Sequence, residues 1–133
     1  MLFNAIGPFE GATGELVEPG EYVLDVDADG AWSISIRQPE PAGTDADVDD
    51  LPVELQGEHA DWAGPIGFDG LVEAHGTHAG DANFIVEVFP VDEPFPELVF
   101  NEIGPFEGET TLRADGVGYV VVEADGPWTL EVR

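Results

Sequence analysis

The chain has 133 residues, of which 29 are acidic, three are arginine and none is lysine, for a net charge of −26. Phosphate recognition needs clustered Lys and Arg, so nucleic acid and anionic membrane surfaces are excluded as direct partners. A hydrophobic fraction of 43% supports a single folded domain over 1–133, and the lack of cysteine excludes disulfides, thiol nucleophiles and cysteine-based zinc sites.

The acidity is spread along the chain, and its spacing sets its consequence. A folded chain of this mass exposes roughly 6,800 Å², or about 230 Å² per carboxylate, a mean separation of roughly 15 Å. Screening extends ~30 Å in 0.01 M salt but only ~3 Å at 1 M. In dilute buffer each carboxylate therefore feels its neighbours, and in molar salt most of that repulsion is gone. The charge reads as adaptation to concentrated salt, with a cation-binding or basic-partner surface as the alternative. No run approaches eighteen apolar residues, so no membrane insertion is expected. No signal peptide is present, so the protein is expected to be cytoplasmic if the chain is complete, and extracellular if it is a processed or excised segment.

In chain order, "LFNAIGPFEG" (2–11) opens the chain and returns as "VFNEIGPFEG" (99–108). The likeness continues, so that residues 2–37 and 99–133 read as two copies of one unit. Tyr22 aligns with Tyr119, Trp32 with Trp128 and Arg37 with Arg133, with one residue missing from the second copy between Tyr and Trp. That deletion predicts a β-bulge in one copy. In the first copy "EYVLDVDA" (21–28) alternates, with Tyr22, Leu24, Val26 and Ala28 on one face. Asp29–Gly30 then predicts a hairpin turn, and Trp32, Ile34 and Ile36 resume the apolar face. The second copy predicts the same hairpin, from 118–124 through Asp125–Gly126 to 128–132. "IGPFEG" is a Gly/Pro turn joining two strands.

Residues 38–50 read as a linker, and 51–97 as a β-rich middle segment with strands at 53–57, 70–76 and 83–89. The last of these should form a hairpin with 98–103 across the Pro-rich loop 90–97. No stretch keeps a helical period. Short strands punctuated by 17 glycines and 11 prolines predict an all-β fold, a β-sandwich of jelly-roll-like or Greek-key type with an internal duplication. In composition and repeat the chain resembles acidic, β-rich repeat proteins of extremely halophilic archaea. That resemblance implies no activity.

Three groups of residues could carry chemistry. Asp25, Asp27 and Asp29 in "DVDADG" match the opening of a calcium loop, but the position for its bidentate glutamate is Ile36. The alternative is an acidic outer strand face. His75 and His78 in "HGTH", with a carboxylate such as Asp81 or Glu73, are of the type that holds a transition metal. The alternative there is a pair of unligated loop histidines. Trp62, in a polar stretch near His59, suits a sugar- or peptide-binding surface, or a loop Trp folded back over the core. The duplicated aromatics Trp32, Trp128, Tyr22 and Tyr119 are expected in the core. Ser33 and Ser35 lie in no nucleophile elbow. The expectation is a non-catalytic structural or interaction module with no resident cofactor, self-associating as a homo-oligomer through edge strands in high salt. The alternatives are a calcium- or carbohydrate-binding domain and a histidine-based metal-dependent enzyme. Transfer from molar salt to about 0.01 M should sharply lower the melting temperature. A melting temperature indifferent to salt across that range would contradict the halophilic reading.

Overall fold

The computed structural model describes residues 1–38 and 48–133. Six strands are present, β1 (Val53–Gly57), β2 (Asp61–His78), β3 (Asn83–Pro90), β4 (Glu97–Ile103), β5 (Phe106–Glu123) and β6 (Trp128–Val132). They form one open antiparallel sheet in the order β1-β6-β2-β5-β3-β4, and no helix occurs among the described residues. The expected linker 38–50 falls largely on 39–47, outside the described residues. Beyond it Asp49 bridges to Ile66 of β2.

The sheet is organised by one long pairing. β2 and β5 have 18 residues each and run antiparallel from Asp61↔Val122 to His78↔Phe106. The register slips once, between Ala63 and Ile66, where Gly64–Pro65 interrupts β2. Proline cannot donate to a ladder, and a Cβ at Gly64 would stand 2.8 Å from the Tyr119 ring, so this dipeptide fits only at such an irregularity.

Even-numbered positions face the core along most strands: Ile66, Phe68, Val72 and Ala74 of β2, Phe84, Val86 and Val88 of β3, Leu112, Ala114, Val120 and Val122 of β5, and Trp128, Leu130 and Val132 of β6. In β4 the adjacent residues Val99 and Phe100 are both buried. The β3–β4 register passes from Val86↔Phe100 to Glu87↔Leu98, leaving Val99 as the extra residue of a bulge that turns two neighbours inward. Both ends of the strand order share one core. Phe100 of β4 reaches β2 so closely that a Cβ at Gly76 would lie 2.8 Å from its ring. At the other end the Trp128 ring covers Gly57 of β1, where a Cβ would stand 2.9 Å away.

The expected strands at 53–57, 83–89 and 98–103 are present within an element boundary or so, and β3 and β4 form the expected hairpin. Three expectations are corrected. First, Trp62 is not on a loop, because Asp61 already begins β2, which takes in the expected strand 70–76 and continues through His78. Second, Asp125–Gly126 is not a hairpin turn. β5 and β6 lie on opposite sides of β2, so the chain crosses over between them. Third, the first copy holds no strand: residues 1–38 lack any ladder. Alternation supplies a face, but a strand also needs a neighbour for its N–H and C=O groups. Here one set of middle strands is already taken by the second copy.

The repeated phrase nevertheless has the same local geometry in both places. Gly7 and Gly104 adopt φ +84° and +83°, the left-handed region that favours glycine. The Phe3 and Phe9 rings lie 5.1 Å apart at 55°, and the Phe100 and Phe106 rings 5.2 Å apart at 57°.

Phe84 is fully buried among His78, Phe100 and Phe106. Phe84→Ala is expected to cost about 3–5 kcal/mol. Exposed Phe95→Ala should change stability by less than about 0.5 kcal/mol. Urea unfolding in molar salt reads both.

Candidate functional site

His75 and His78 do not converge. They stand three apart on β2, and successive side chains of a strand point to opposite faces. His75 faces outward, 3.7 Å from Glu107, whereas the His78 side chain is fully buried. Two shallow surface depressions flank His75, one of about 330 Å³ and one of about 410 Å³. Their walls are mainly carboxylates, threonines and Arg133, which bridges Glu73 at 3.3 Å and Glu131 at 3.2 Å. Both lack the enclosed apolar wall that small-molecule sites use. Glu73 therefore pairs with Arg133 and not with an imidazole.

His78 instead ties three connections together. Its Nδ1–H donates to the Gly104 carbonyl in the β4–β5 turn, at 2.8 Å. Its ring stacks on Phe84, 5.0 Å away and within 9° of parallel. Its Nε2 faces Asp125 Oδ1 in the β5–β6 crossover at 3.2 Å, without the alignment of a hydrogen bond. Asp125 Oδ2 accepts from the backbone N–H groups of Asp81 and Ala82 in the β2–β3 turn, at 3.2 and 3.0 Å. A Cβ at Gly80 would overlap both the imidazole and the carboxylate. Between them, this His–Asp pair holds backbone groups of two turns, at Gly104 and at Asp81–Ala82. No sequence signal pointed to it, because its members are 47 residues apart.

The three aspartates of the calcium-like string, Asp25, Asp27 and Asp29, are exposed and lie on no strand. Among the described residues no group of three or more His, Asp or Glu is gathered as a metal would need. Among the described residues no helix is long and apolar enough to cross a membrane.

Trp62 is on β2, facing out from the sheet. Its ring lies 6.0 Å from Tyr119, and the Arg37 guanidinium sits 5.7 Å above it, in cation–π range. His59 is exposed, and its carbonyl accepts the Trp128 indole N–H at 2.8 Å. Trp62 belongs to a partly apolar outer face with Tyr119, Val121, Ile85 and Phe89, all half-buried. The signal for that face was in the sequence, since "YVVV" (119–122) and "FIVEVF" (84–89) are apolar at both parities, as in strands covered on both sides.

The first copy touches this face at a few points. Ala12 N–H donates to the Ala60 carbonyl at 2.7 Å, and a Cβ at Gly14 would stand 3.6 Å from Val121. Apart from these points, Arg37 over Trp62 and half-buried Val26, it is largely open to solvent. Among the described residues, thirteen of the seventeen exposed large hydrophobics lie in 1–36, including Ile6 at 102%, Val23 at 96% and Trp32 at 59% exposure. Trp128 is in the core as expected, whereas Trp32 and Tyr22 are not and Tyr119 is on the outer face. The whole chain exposes 9,369 Å², well above the roughly 6,800 Å² of a compact chain of this mass. Monomers rarely leave apolar patches of this extent uncovered.

Asp125→Ala removes the acceptor for two backbone N–H groups and should cost about 1–2 kcal/mol. Asp27→Asn should leave the melting temperature in molar salt unchanged, with or without calcium. Calcium-dependent stabilisation abolished by Asp27→Asn would reinstate the calcium site. No protein-family model matches the chain, and no curated protein or solved structure is significantly similar to it.

Proposed function

We propose that the protein is a non-catalytic structural or interaction β-module, adapted to concentrated salt, whose contact surface is residues 1–37. The sheet reads as a sandwich formed by one sheet doubling back on itself, since β4 and β6, far apart in strand order, contribute to one core. The observation that carries the reading is the exposed run of large apolar side chains from Leu2 to Ile36, attached to a domain whose core is already complete without it. In an otherwise acid-covered molecule, such a run is stabilised by a partner that removes it from water. Net charge of −26 opposes association in dilute buffer, and molar salt screens that opposition.

All six strands lie in 53–132, so a chain of residues 38–133 retains the whole sheet. In molar salt an apolar fluorescent dye should bind the intact chain, and residues 38–133 should bind much less of it. Equal dye binding by both would overturn the assignment of 1–37 as a contact surface.

A further inference from the structure

We infer that residues 2–36 are a second set of closing strands, equivalent to β4–β5–β6, and that their partner is a segment of the β1–β2–β3 type that lacks closing strands of its own. This inference rests on the interaction-module reading and names the partner.

The equivalence begins at the repeated phrase, where the turn glycines share one backbone conformation and the phenylalanine pairs share one geometry. A third correspondence follows. A Cβ at Gly108 would stand 2.6 Å from the Phe106 ring, and one at Gly11 would stand 3.0 Å from the Phe9 ring. The phrase is thus preassembled in the first copy but has nothing beneath it. Phe100 packs on Phe84 and over Gly76, while Phe3 and Phe9 meet each other and solvent.

Burial in the second copy then shows how the rest aligns. The one-residue offset falls among residues 12–15, not between Tyr and Trp. From Leu16 onward, Leu16 then takes the place of Leu112, Leu24 of Val120, Val26 of Val122, Ala28 of Ala124, Trp32 of Trp128, Ile34 of Leu130 and Ile36 of Val132, every one a buried position. The aspartates sort correctly too. Asp25 and Asp27 fall at the outer positions Val121 and Glu123, and Asp29 falls at Asp125, the residue that holds the β2–β3 turn. Trp32 stands where Trp128 donates to the His59 carbonyl and covers Gly57. The first copy thus supplies most of the contacts that β4–β5–β6 make with β1–β2–β3.

Two positions explain why it does not displace the second copy. Glu18 falls at buried Ala114, and Tyr22 falls at Gly118, where a Cβ would already stand 3.1 Å from Phe68 and from the Phe89 carbonyl. Both changes disfavour closure on this scaffold. Stoichiometry decides the partner. The described part of residues 1–133 holds one β1–β2–β3 scaffold and two closing sets, so a second copy of these residues offers no vacancy. Exchange between intact chains only trades one closing set for another. The vacancy must come from a scaffold without its own closing strands.

The probe is a fragment of residues 48–97, added in molar salt to the chain 1–133 and to residues 38–133. The intact chain should bind it one to one by calorimetry, residues 38–133 should not, and Trp32→Ala should weaken binding at least about tenfold. Equal binding by both chains, or by neither, overturns the inference. A covalent form guards against a fragment that aggregates: a second copy of residues 48–97 placed ahead of residue 1. In it the amides of Leu16–Ile36 should gain hydrogen-exchange protection comparable to those of β5 and β6. No gain in protection overturns the inference. Self-association of the intact chain without bound fragment also overturns this partner, yet leaves the interaction-module reading standing.

Discussion

The antiparallel pairing of β2 with β5 is the constraint on which the rest of the structure depends. It spans nearly the whole of two 18-residue strands and carries the largest share of the core. Every other strand is placed by it. β3 adds to the far half of β5, and β6 adds to the last five residues of β2. β1 and β4 then add to those. A side-chain period of two makes this register hard to slip, because a shift of one residue would turn Val72, Ala74, Leu112 and Ala114 to solvent and Glu73, Arg113 and Asp115 inward. The single irregularity, at Gly64–Pro65, is where a residue without an N–H and one without a side chain replace the ladder.

The same alternation lets so acidic a chain fold. Along β2 and β5 the carboxylates of Glu73, Glu107, Glu109 and Glu123 occupy odd positions, opposite the core. Folding therefore desolvates few of them, and the cost of the charge is mutual repulsion, which salt screens. Compensation within the chain is slight. Arg133 pairs with two glutamates at the surface, and exposed pairs of that kind contribute little. Asp125 is the exception with a structural task, because its acceptor oxygen serves two backbone groups that strand pairing leaves free.

The middle of the chain was legible in the sequence because its strands have clear apolar alternation and Gly or Pro at their ends. Residues 53–57 and 83–89 could be placed from that alone. The "HGTH" string was read only in part: the expected strand 70–76 takes in His75 and Gly76, but the strand runs on to His78, a core residue at its end, and Gly76 admits the Phe100 ring. Asp125–Gly126 was misread for a related reason. The dipeptide favours a tight turn, but β2 occupies the space between β5 and β6, so the chain must cross over instead of folding back. The placement of His78 beside Asp125 depends on long-range packing, which no local pattern encodes.

The two copies of "IGPFEG" separate what is local in this fold from what is not. Both make the same left-handed glycine turn and bring their phenylalanine rings to the same distance and angle. Those features depend on neighbours in sequence, and they form with or without a core beneath them. The flanking strands differ completely. Glu97–Ile103 pairs with β3 across the Val99 bulge, while Leu2–Ile6 has no ladder at all. Strand formation needs a second backbone to satisfy its polar groups and an apolar face to bury its side chains against. Residues 2–36 therefore have the turn and the alternating apolar positions of strands, but neither a paired backbone nor an apolar face beneath most of them.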